Sequence, residues 1–430
     1  MLPRFELVHR SRPVRLVADE RRSGFLAPFA AIEAELAGRD LPGRLGLGFA
    51  TPDGRHRTAW WDGGRRLAGL EVGDARGVSH RARSRRHGRA PTPPEAVAAT
   101  LTGRQLSVLT RDAGRWTVRG RTDVGEVAPE GLEVEVTWLP RDGAGAPPWR
   151  SGTFGQLGVR DVRLVTHAEG EPVVEGGRLL LTMAHAGPGF FDTAHTGVWS
   201  FDPETCAIEH RADLWFRRGG RVRGDHATHL VRHEGRWLVA TSTWGDFDGT
   251  HVGVVLATSE EDLLHGEHVL DAAPVALPGT AVGTWDPHLT LIDGHWHLAH
   301  VAARRFFEFH PVLLRAADPG RLDGWQVLGA ATDRLATEGP ALVRLDGVWR
   351  VVASDGRDNP APVAGRFPVF DLTMREVGAL DAPYPSNLPW PALARHAGGW
   401  VLPTFDGTPY GGEVPGYGTH GDFLVLRTGT

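Results

Sequence analysis

The sequence predicts an all-β protein in which an N-terminal antiparallel β-sandwich precedes a five-bladed β-propeller. Three observations indicate this fold class. A hairpin signature recurs five times after residue 150, its spacing is nearly constant, and the residues before 150 show short strand patterns without the repeat. Radial repetition of four-stranded units, with roughly 40–50 residues or more in each, is typical of propellers.

Residues 337–354 show the signature most clearly, with the sequence T-E-G-P-A-L-V-R-L-D-G-V-W-R-V-V-A-S. Asp346 and Gly347 separate two apolar runs, the second of which is centred on Trp349. An Asp-Gly pair between two apolar runs is the strongest short-range hairpin signal, because glycine accepts the positive φ that the turn requires. Glu338 therefore lies at the start of the first strand of a predicted hairpin.

The same combination of turn and apolar run appears at four other places. The equivalent positions are separated by 58, 59, 53 and 51 residues, and they are Leu179, Trp237, Trp296, Trp349 and Trp400. This steady period favours a five-bladed propeller domain over residues 149–430. The alternative is that five unrelated hairpins belong to one large sandwich.

Residues 1–148 are predicted to form a separate β-sandwich accessory domain. Alternating patterns between Asp-Gly, Gly-Gly and Ala-Gly turns predict strands at residues 44–51, 57–61, 96–101, 105–109, 116–118 and 132–138. A helix is predicted at residues 30–37. Residues 140–148 are predicted to be the linker, because their glycines and prolines disfavour continuation of a helix or a sheet.

Composition is that of an ordinary globular protein, with 41% hydrophobic and 23% charged residues. A lone Cys206 excludes an internal disulfide, and the net charge of −5 gives no electrostatic footprint for nucleic acid. The N-terminus lacks a long apolar segment, and no run approaches the ~18 apolar residues of a membrane span. We therefore expect a cytoplasmic protein with no nucleic-acid or membrane partner. The sequence does not indicate its oligomeric state.

Acidic residues stand before the hairpin turns of four blades, and Asn387 stands at that place in the fifth. The carboxylates in question are Asp161, Asp225, Asp286 and Glu338. The innermost strand of a propeller blade runs along the central channel, so residues at its beginning line one mouth. Carboxylates are almost never buried without partners, which favours a functional cluster. The alternative is that these residues cap turns or pair with arginines such as Arg160.

Taken in order, these motifs resemble glycoside hydrolase family 43 and its relatives, which are five-bladed propellers. Glu338-Gly-Pro with the following D-G-V-W resembles the general-acid motif of that family, and T-W-D-P-H-L-T-L-I-D-G-H-W-H-L around Asp286 resembles its middle-aspartate motif. The segment D-H-A-T-H-L-V-R-H-E-G-R-W-L-V-A-T-S resembles the intervening blade. The first-blade motif V-R-D-V-R departs from the pattern, because Val162 replaces the usual proline. The resemblance covers residues 150–430.

The resemblance implies an inverting glycoside hydrolase that cleaves terminal or short-chain pentose or furanose glycosides. Asp161 would be the base that activates water, and Glu338 would be the acid that protonates the leaving oxygen. Asp286 would hold Glu338 in place and raise its pKa through like charge. Without such a shift a glutamate is deprotonated at neutral pH and cannot act as an acid. The chemistry requires no cofactor.

Further residues are expected to contact the carbohydrate substrate or an ion. The predicted sugar-binding residues are Asp225, His226, Trp244, Trp285, Arg160 and Asn387, and further apolar faces are expected from Phe190, Phe191 and Trp390. His420, in Y-G-T-H-G-D-F, resembles a fifth-blade histidine that approaches the channel axis and contacts a calcium ion or water. The resemblance thus implies a structural calcium ion at the propeller axis.

Two other functions stay open at the level of the sequence. A propeller glycoside phosphorylase would need a cationic phosphate pocket, for which the candidates are Arg160, Arg163, Arg304 and Arg305. A non-catalytic carbohydrate-binding propeller is the other, because a fold alone does not determine function. The chain lacks the Gly-x-Ser-x-Gly, Walker and His-Glu-x-x-His motifs of other enzyme classes.

Overall fold

A computed structural model describes residues 4–37, 43–125, 127, 131–140, 145–279, 281–306, 308–386, 388–409 and 420–429. Within these ranges the regular structure consists of β-strands and two short 3-10 turns, Phe191–Thr193 and Trp244–Asp246. The prediction of an all-β protein is therefore confirmed. In the same ranges, no helix has the length and apolar character that crossing a membrane requires.

The first part of the chain builds two antiparallel sheets that pack against one another. Its strands are β1 (Phe5–Ser11), β2 (Arg15–Glu20), β3 (Ala30–Glu35), β4 (Gly43–Ala50), β5 (His56–Asp62), β6 (Leu67–Asp74), β7 (Gly77–Ala82), β8 (Ala96–Thr102), β9 (Gln105–Asp112), β10 (Arg115–Asp123), β11 (Glu133–Pro140) and β12 (Trp149–Gln156). One sheet has the order β10-β9-β8-β3-β12-β2 and the other β11-β4-β5-β6-β7. Alternate residues of facing strands, such as Leu47, Trp61, Val97 and Val108, form their shared core.

The helix predicted at residues 30–37 is wrong, because residues 30–35 form strand β3. The alanine-rich segment has a high local helix propensity. In the structure β3 pairs with β8 on one side and β12 on the other, in the middle of the six-stranded sheet. Residues 30–34 are buried on both faces, with Glu33 paired to Arg111 and Arg150, and this tertiary pairing outweighs the local preference. The six strands predicted in the same region are confirmed as β4, β5, β8, β9, β10 and β11.

The rest of the chain forms five successive sheets. Its strands are β13 (Val159–Leu164), β14 (Thr166–His167), β15 (Val174–Glu175), β16 (Arg178–His185), β17 (His195–Phe201), β18 (Ile208–Arg218), β19 (Arg221–Arg223), β20 (His226–His233), β21 (Arg236–Ser242), β22 (Val254–Ser259), β23 (Gly266–Asp271), β24 (Ala273–Pro274), β25 (Gly283–Ile292), β26 (His295–Arg305), β27 (Glu308–Ala316), β28 (Trp325–Ala330), β29 (Thr337–Leu345), β30 (Val348–Asp355), β31 (Phe367–Phe370), β32 (Glu376–Leu380), β33 (Ala394–His396), β34 (Gly399–Pro409) and β35 (His420–Thr428).

The strand orders of these sheets repeat a simple plan. The first sheet is β13-β16-β17-β18-β19, with β15 beside β16 and β23 parallel to β18, and the second is β14-β20-β21-β22-β24. The third is β25-β26-β27-β28, the fourth β29-β30-β31-β32 and the fifth β33-β34-β35-β1. Strands β13, β20, β25 and β29, here called the inner strands, lie next to one another in sequence order.

The five predicted hairpins are confirmed by their turn geometry. Each turn consists of two successive residues with positive φ: Gly176 and Gly177, Glu234 and Gly235, Asp293 and Gly294, Asp346 and Gly347, and Ala397 and Gly398. Two positive φ angles define the turn that matches the right-handed twist of the flanking strands. The second residue is glycine in every turn, and it carries no Cβ to oppose this conformation.

Sheet pairing divides the chain differently from the predicted boundary between residues 148 and 149. Strand β1 pairs with β35 of the fifth sheet, with Phe5 opposite Thr428 and Ser11 opposite Phe423. Strand β12 pairs with β3 and β2 of the N-terminal six-stranded sheet. Each of these two strands thus joins a sheet on the other side of the predicted boundary, because hydrogen-bonded ladders depend on proximity in space rather than on distance along the chain.

The N-terminal six-stranded sheet also covers the first of the five sheets. Trp215 of β18 is fully buried, and its ring lies 4.6 Å from that of Phe29 and 4.4 Å from that of His195. Phe154 of β12 belongs to the same apolar cluster. The two bodies therefore share a packed interface, and this interface lies beside the site described next.

Candidate active site

A cavity of about 440 Å³ opens at the beginning of the inner strands, and segments from all five sheets line it. Asp161 comes from the first sheet, Asp286 from the third and Glu338 from the fourth. The structure therefore places the three predicted catalytic carboxylates on one cavity. Arg160, Trp244 and Trp285, predicted to bind the sugar, line the same cavity.

A local irregularity at the start of each inner strand presents these side chains to the cavity. The regular pairing shifts between Arg160 and Arg163, His226 and His229, Trp285 and His288, and Glu338 and Ala341. The residue inside each shift has positive φ: 53° at Asp161, 62° at Ala227, 57° at Asp286 and 63° at Gly339. Such β-bulges re-aim side chains and are common beside active sites. Non-glycine residues at positive φ are uncommon, and strained ones cluster at functional sites.

The bulges also establish which residues of the different sheets are equivalent. Asp161 and Asp286 occupy the same position, and Glu338 lies one residue earlier, before Gly339. The equivalent of the two aspartates in the second sheet is Ala227, whereas Asp225 lies two residues earlier. The predicted register of Asp225 with the other carboxylates is therefore wrong by two residues.

Asp225 takes part in an internal ion pair and does not line the cavity. Its two oxygens accept hydrogen bonds from the Arg218 guanidinium, at 2.6 Å from Nε and 2.9 Å from Nη2. The backbone N–H of Gly245 donates to Oδ1 at 3.0 Å. A buried carboxylate needs such partners, and through them Asp225 holds the Trp244–Asp246 turn in place.

Glu338 has the environment of a general acid. Its side chain is half-buried, and Trp390 Nε1 donates a hydrogen bond to its Oε1 at 3.3 Å. Desolvation by the cavity walls raises the pKa of Glu338 to about 7, and the like charge of Asp161 adds to the rise. A glutamate with this pKa is substantially protonated at neutral pH, as proton donation requires.

Asp286 positions the backbone beside Glu338. Its Oδ2 accepts a hydrogen bond from the Gly339 N–H at 3.1 Å, and its own N–H donates to Ser242 Oγ at 2.9 Å. Burial and then the like charge of Glu338 raise the pKa of Asp286 well above its usual range. The sequence predicts that Asp286 holds Glu338 in place, and the hydrogen bond in the structure joins Asp286 to the backbone of the next residue, Gly339. The charge of Asp161 raises the pKa of Glu338, and the charges of Glu338 and Asp286 raise the pKa of each other.

Two buried arginines place positive charge beside the carboxylates. Arg160 Nη2 lies 3.7 Å from Asp161 Oδ1. Arg163 donates to the carbonyl oxygens of Asp286 and Pro340, each at 2.9 Å, so it ties the first sheet to the third and fourth. Burial raises the pKa of Asp161, and the charges of Arg160 and Arg163 oppose that rise.

Aromatic side chains form one wall of the cavity. Phe191 stacks on Trp244 with ring centres 4.5 Å apart, and Trp244 lies 5.5 Å from Trp285. Phe190 and Trp390 also line the cavity, as predicted. Four aromatic residues that the sequence did not indicate complete the wall: Phe247, Phe306, Phe309 and Phe405. They lie in loops or away from the hairpin turns, so the hairpin repeat could not indicate them.

Three predicted binding residues do not contribute described side chains to the cavity. His226 is fully buried behind the ring of Trp244, with Nδ1 3.1 Å from Gly224 O, and burial lowers its pKa to about 3. It is therefore neutral. Asn387 lies outside the described residues, and His420 begins β35 with a side chain that also lies outside them.

The calcium ion implied by the resemblance has no oxygen-rich group among the side chains that the structure describes. Calcium takes oxygen ligands, whereas the buried inner strands β20 and β25 carry His229 and His288, with rings stacked at 3.9 Å. The one described group close enough to share any ion is His185, His210 and Asp213, in the first sheet. Trp199 donates to His185 Nε2 at 2.9 Å. The His185 proton is therefore on Nδ1, facing Asp213, where a metal would need a lone pair.

No protein-family model matches the chain, and no curated protein matches it. Solved structures do match. A GH43_1 enzyme from Xanthomonas citri complexed with xylose is 16% identical, with a TM-score of 0.45 over 63% of this chain and 87% of that one. CoXyl43, a GH43 β-xylosidase/α-arabinofuranosidase from a compost microbial metagenome, is 12% identical, with a TM-score of 0.42 over 64% of this chain and 94% of that one.

Levansucrase from Bacillus subtilis is similar to the chain to the same degree. It is 11% identical, with a TM-score of 0.45 over 62% of this chain and 84% of that one. Family 43 enzymes are thus among the solved structures that the chain is similar to, as the motifs led us to expect. The chemistry of the cavity rests on the residues of this chain alone.

Proposed function

We propose that this protein is an inverting glycoside hydrolase whose five successive sheets are the blades of a five-bladed β-propeller, with the N-terminal sheets as a β-sandwich beside it. The inner strands are neighbours in sequence order, and β13 also contacts β34 of the fifth sheet. One apolar cluster joins residues from all five sheets, including Val162, Ala227, Trp285, Ala336 and Phe405. These contacts support a radial arrangement around one channel.

The observation that carries the proposal is the contrast between two carboxyl groups on one cavity. Glu338 has a pKa of about 7, while Asp161 lies beside the Arg160 guanidinium at 3.7 Å. Opposing environments of this kind separate an acid from a base. Glu338 protonates the departing glycosidic oxygen, Asp161 takes a proton from the attacking water, and the substrate anomeric centre is inverted. Asp286 holds the backbone at Gly339 and is a positioning residue.

The walls suit a small sugar. A cavity of about 440 Å³ lies at the lower end of the range for small-molecule sites. Phe191, Trp244 and Trp285 offer apolar ring faces, against which the C–H face of a sugar can pack, while the carboxylates and Arg160 offer groups for its hydroxyls. We place terminal or short-chain pentose or furanose glycosides first among its substrates.

Hydrolysis is favoured over phosphorolysis by the partners of the arginines. Arg163 is occupied by two backbone carbonyls, and Arg304 donates to the carbonyl of Thr332. Arg305 pairs with Glu308. Of the four arginines proposed for a phosphate pocket, Arg160 alone lines the described cavity wall. A purely carbohydrate-binding protein would have no use for a glutamate held at a pKa near neutrality.

The test compares two leaving groups. Protonation by Glu338 matters when the leaving oxygen is a sugar hydroxyl, and matters little when it is a nitrophenolate. Glu338→Gln should therefore lose about 10²- to 10⁴-fold in kcat/KM on a natural glycoside, the usual range for one general acid. It should lose far less on a nitrophenyl glycoside. Asp161→Asn should be severely impaired on both substrates, because the water must be deprotonated in either case.

Controls make the result specific. Glu169→Gln, in the exposed turn between β14 and β15, should leave both rates unchanged. The anomeric form of the first product, followed by NMR, should be inverted relative to the substrate. Equal losses on the two substrates in Glu338→Gln would remove Glu338 from the role of acid. Turnover that requires added phosphate would identify a phosphorylase instead.

A further inference from the structure

We infer that the turn between β8 and β9 of the N-terminal sheets sets the position of the aromatic wall of the cavity, and that Gly103, Gln105 and Asp192 are specificity-determining positioning residues. The inference rests on the proposed function for the identity of the ligand as a sugar. The N-terminal body would thus be a working part of the site and not a detached binding module.

The first observation is a backbone contact between the two bodies. Gly103 lies in the β8–β9 turn with φ of +56°, and a Cβ built on it would lie 2.2 Å from the carbonyl oxygen of Asp192. Real Cβ atoms do not approach an oxygen this closely, so only glycine permits the observed distance. The loop that carries Asp192 is therefore in direct contact with the N-terminal turn.

The second observation is that Asp192 faces the N-terminal body with its side chain as well. Its carboxylate interacts with the Gln105 side chain and with the charges of Arg121 and Asp123, and these three residues belong to β9 and β10. Burial raises the pKa of Asp192, and the Gln105 side chain opposes that rise. The contact thus includes a half-buried polar group, for which loss of the partner is costly.

The third observation is that Asp192 is the middle residue of the short turn Phe191–Thr193, whose neighbours form the cavity wall. Phe190 and Phe191 line the cavity, and Phe191 stacks on Trp244 at 4.5 Å. Thr193 Oγ accepts a hydrogen bond from Gly189 N–H at 3.1 Å and donates to Phe190 O at 2.7 Å. These bonds hold the segment 187–194 together. We therefore expect the segment to move as one unit when the contact at Asp192 is displaced.

The consequence is a mechanical link from the N-terminal turn to the sugar site. Because Phe191 and Asp192 are adjacent, displacement of Asp192 shifts Phe191. The Phe191 ring then either displaces Trp244 or loses its stacking contact with it. The wall contacts the sugar in both the ground state and the transition state, so its displacement should raise KM more than it lowers kcat. A misplacement of about 1 Å at a positioned substrate can cost about 10²-fold.

The test uses two glycines of the same body as a matched pair. Gly103→Ala introduces a methyl group that must push the Asp192 loop away. Gly114→Ala, in the β9–β10 turn, suffers the same backbone penalty at φ of +71°, but no described atom beyond its chain neighbours lies within 4 Å of its Cβ. Gln105→Leu removes the polar side chain that stabilises the Asp192 carboxylate and keeps both glycines. It replaces Gly103→Ala in the test if that variant does not fold.

Two readouts separate this inference from the proposed function. Hydrogen exchange of the backbone amides in residues 187–194 should quicken at least about tenfold in Gly103→Ala and Gln105→Leu and stay at the wild-type rate in Gly114→Ala. KM for a nitrophenyl pentoside should rise about tenfold or more in the same two variants, with kcat changed less. If the wild type has no glycosidase activity, the exchange rates alone decide. Exchange and KM in Gly103→Ala and Gln105→Leu that match those of Gly114→Ala would overturn the inference.

Discussion

If the proposed function is correct, Arg160 should control the pH range in which the protein hydrolyses glycosides. Its guanidinium lies 3.7 Å from Asp161 and also lowers the pKa of Glu338. Burial lowers the pKa of Arg160 itself to about 10, so it remains charged at neutral pH. Replacement by glutamine, which is neutral and of similar length, removes this charge from beside the proposed base, Asp161, and the proposed acid, Glu338.

The size of the effect follows from the distance. Two unit charges 3.7 Å apart at an effective dielectric constant of about 20 interact by about 4 kcal/mol, or about three pKa units, which is an upper bound. One opposite charge at this range shifts a carboxyl group by about 1–3 units. We expect the pKa of Asp161 to rise by about 1–3 units in Arg160→Gln. The pKa of Glu338 should rise by a smaller amount, because Asp161 rather than Arg160 is the charge that affects it most.

The sign of the change in activity follows from the two roles. The base must be ionised, so activity is lost as pH falls through the pKa of Asp161. The acid must be protonated, so activity is lost as pH rises through the pKa of Glu338, near 7 in the wild type. Loss of Arg160 raises both values, so the bell-shaped profile of kcat/KM should move to higher pH, and its acidic limb should move further than its basic limb.

The assay is the pH dependence of kcat/KM on a nitrophenyl glycoside, measured between about pH 3 and pH 10 at constant ionic strength. Arg178→Gln is the control, because Arg178 belongs to the same sheet but contacts Ser200 Oγ and the carbonyl of Ala207. Its profile should match the wild type. A profile of Arg160→Gln that stays in place or moves to lower pH would refute the assignment of Asp161 and Glu338 as base and acid.

Three further outcomes are expected. Arg163→Met should leave two buried carbonyls unpaired and lower the free energy of unfolding by about 2–6 kcal/mol in urea denaturation, at about 1–3 kcal/mol for each; a loss below about 1 kcal/mol would contradict this. The hydrogen bond from Trp390 favours the charged form of Glu338. Trp390→Phe removes it, so the pKa of Glu338 should rise and the basic limb of the pH profile should move to higher pH. A protein truncated to residues 149–430 should aggregate or unfold at lower temperature in scanning calorimetry, because it exposes Trp215 and lacks β1; an unchanged midpoint would contradict the shared interface.

Much of the site could be predicted from the sequence because it depends on short-range features. Two-residue turns with glycine at the second position specify hairpins locally, and all five predicted hairpins form. Their steady spacing brings Asp161, Asp286 and Glu338 to one cavity, since each stands at the start of an inner strand. Large aromatic residues close to those positions, such as Trp244 and Trp285, were found by the same reasoning.

The features that the sequence did not reveal depend on which segments meet in space. Local propensity suggests a helix at residues 30–37, but two neighbouring strands turn that segment into a strand. A bulge decides which position at the start of an inner strand carries the positive φ, and in the second sheet this position is Ala227, while Asp225, two residues earlier, pairs with Arg218.

The sequence by itself thus determined the β-class, the hairpin repeat and the identity of the three carboxylates, because turn geometry and strand alternation are set by adjacent residues. Tertiary structure alone decided that β1 completes the fifth sheet, that Asp225 belongs to an ion pair, and that an N-terminal turn touches Asp192 behind the cavity wall. The physical reason is that a ladder, an ion pair or a close backbone contact forms with whatever lies nearby after folding. A shift of one residue in register is enough to turn a side chain to the opposite face of a sheet.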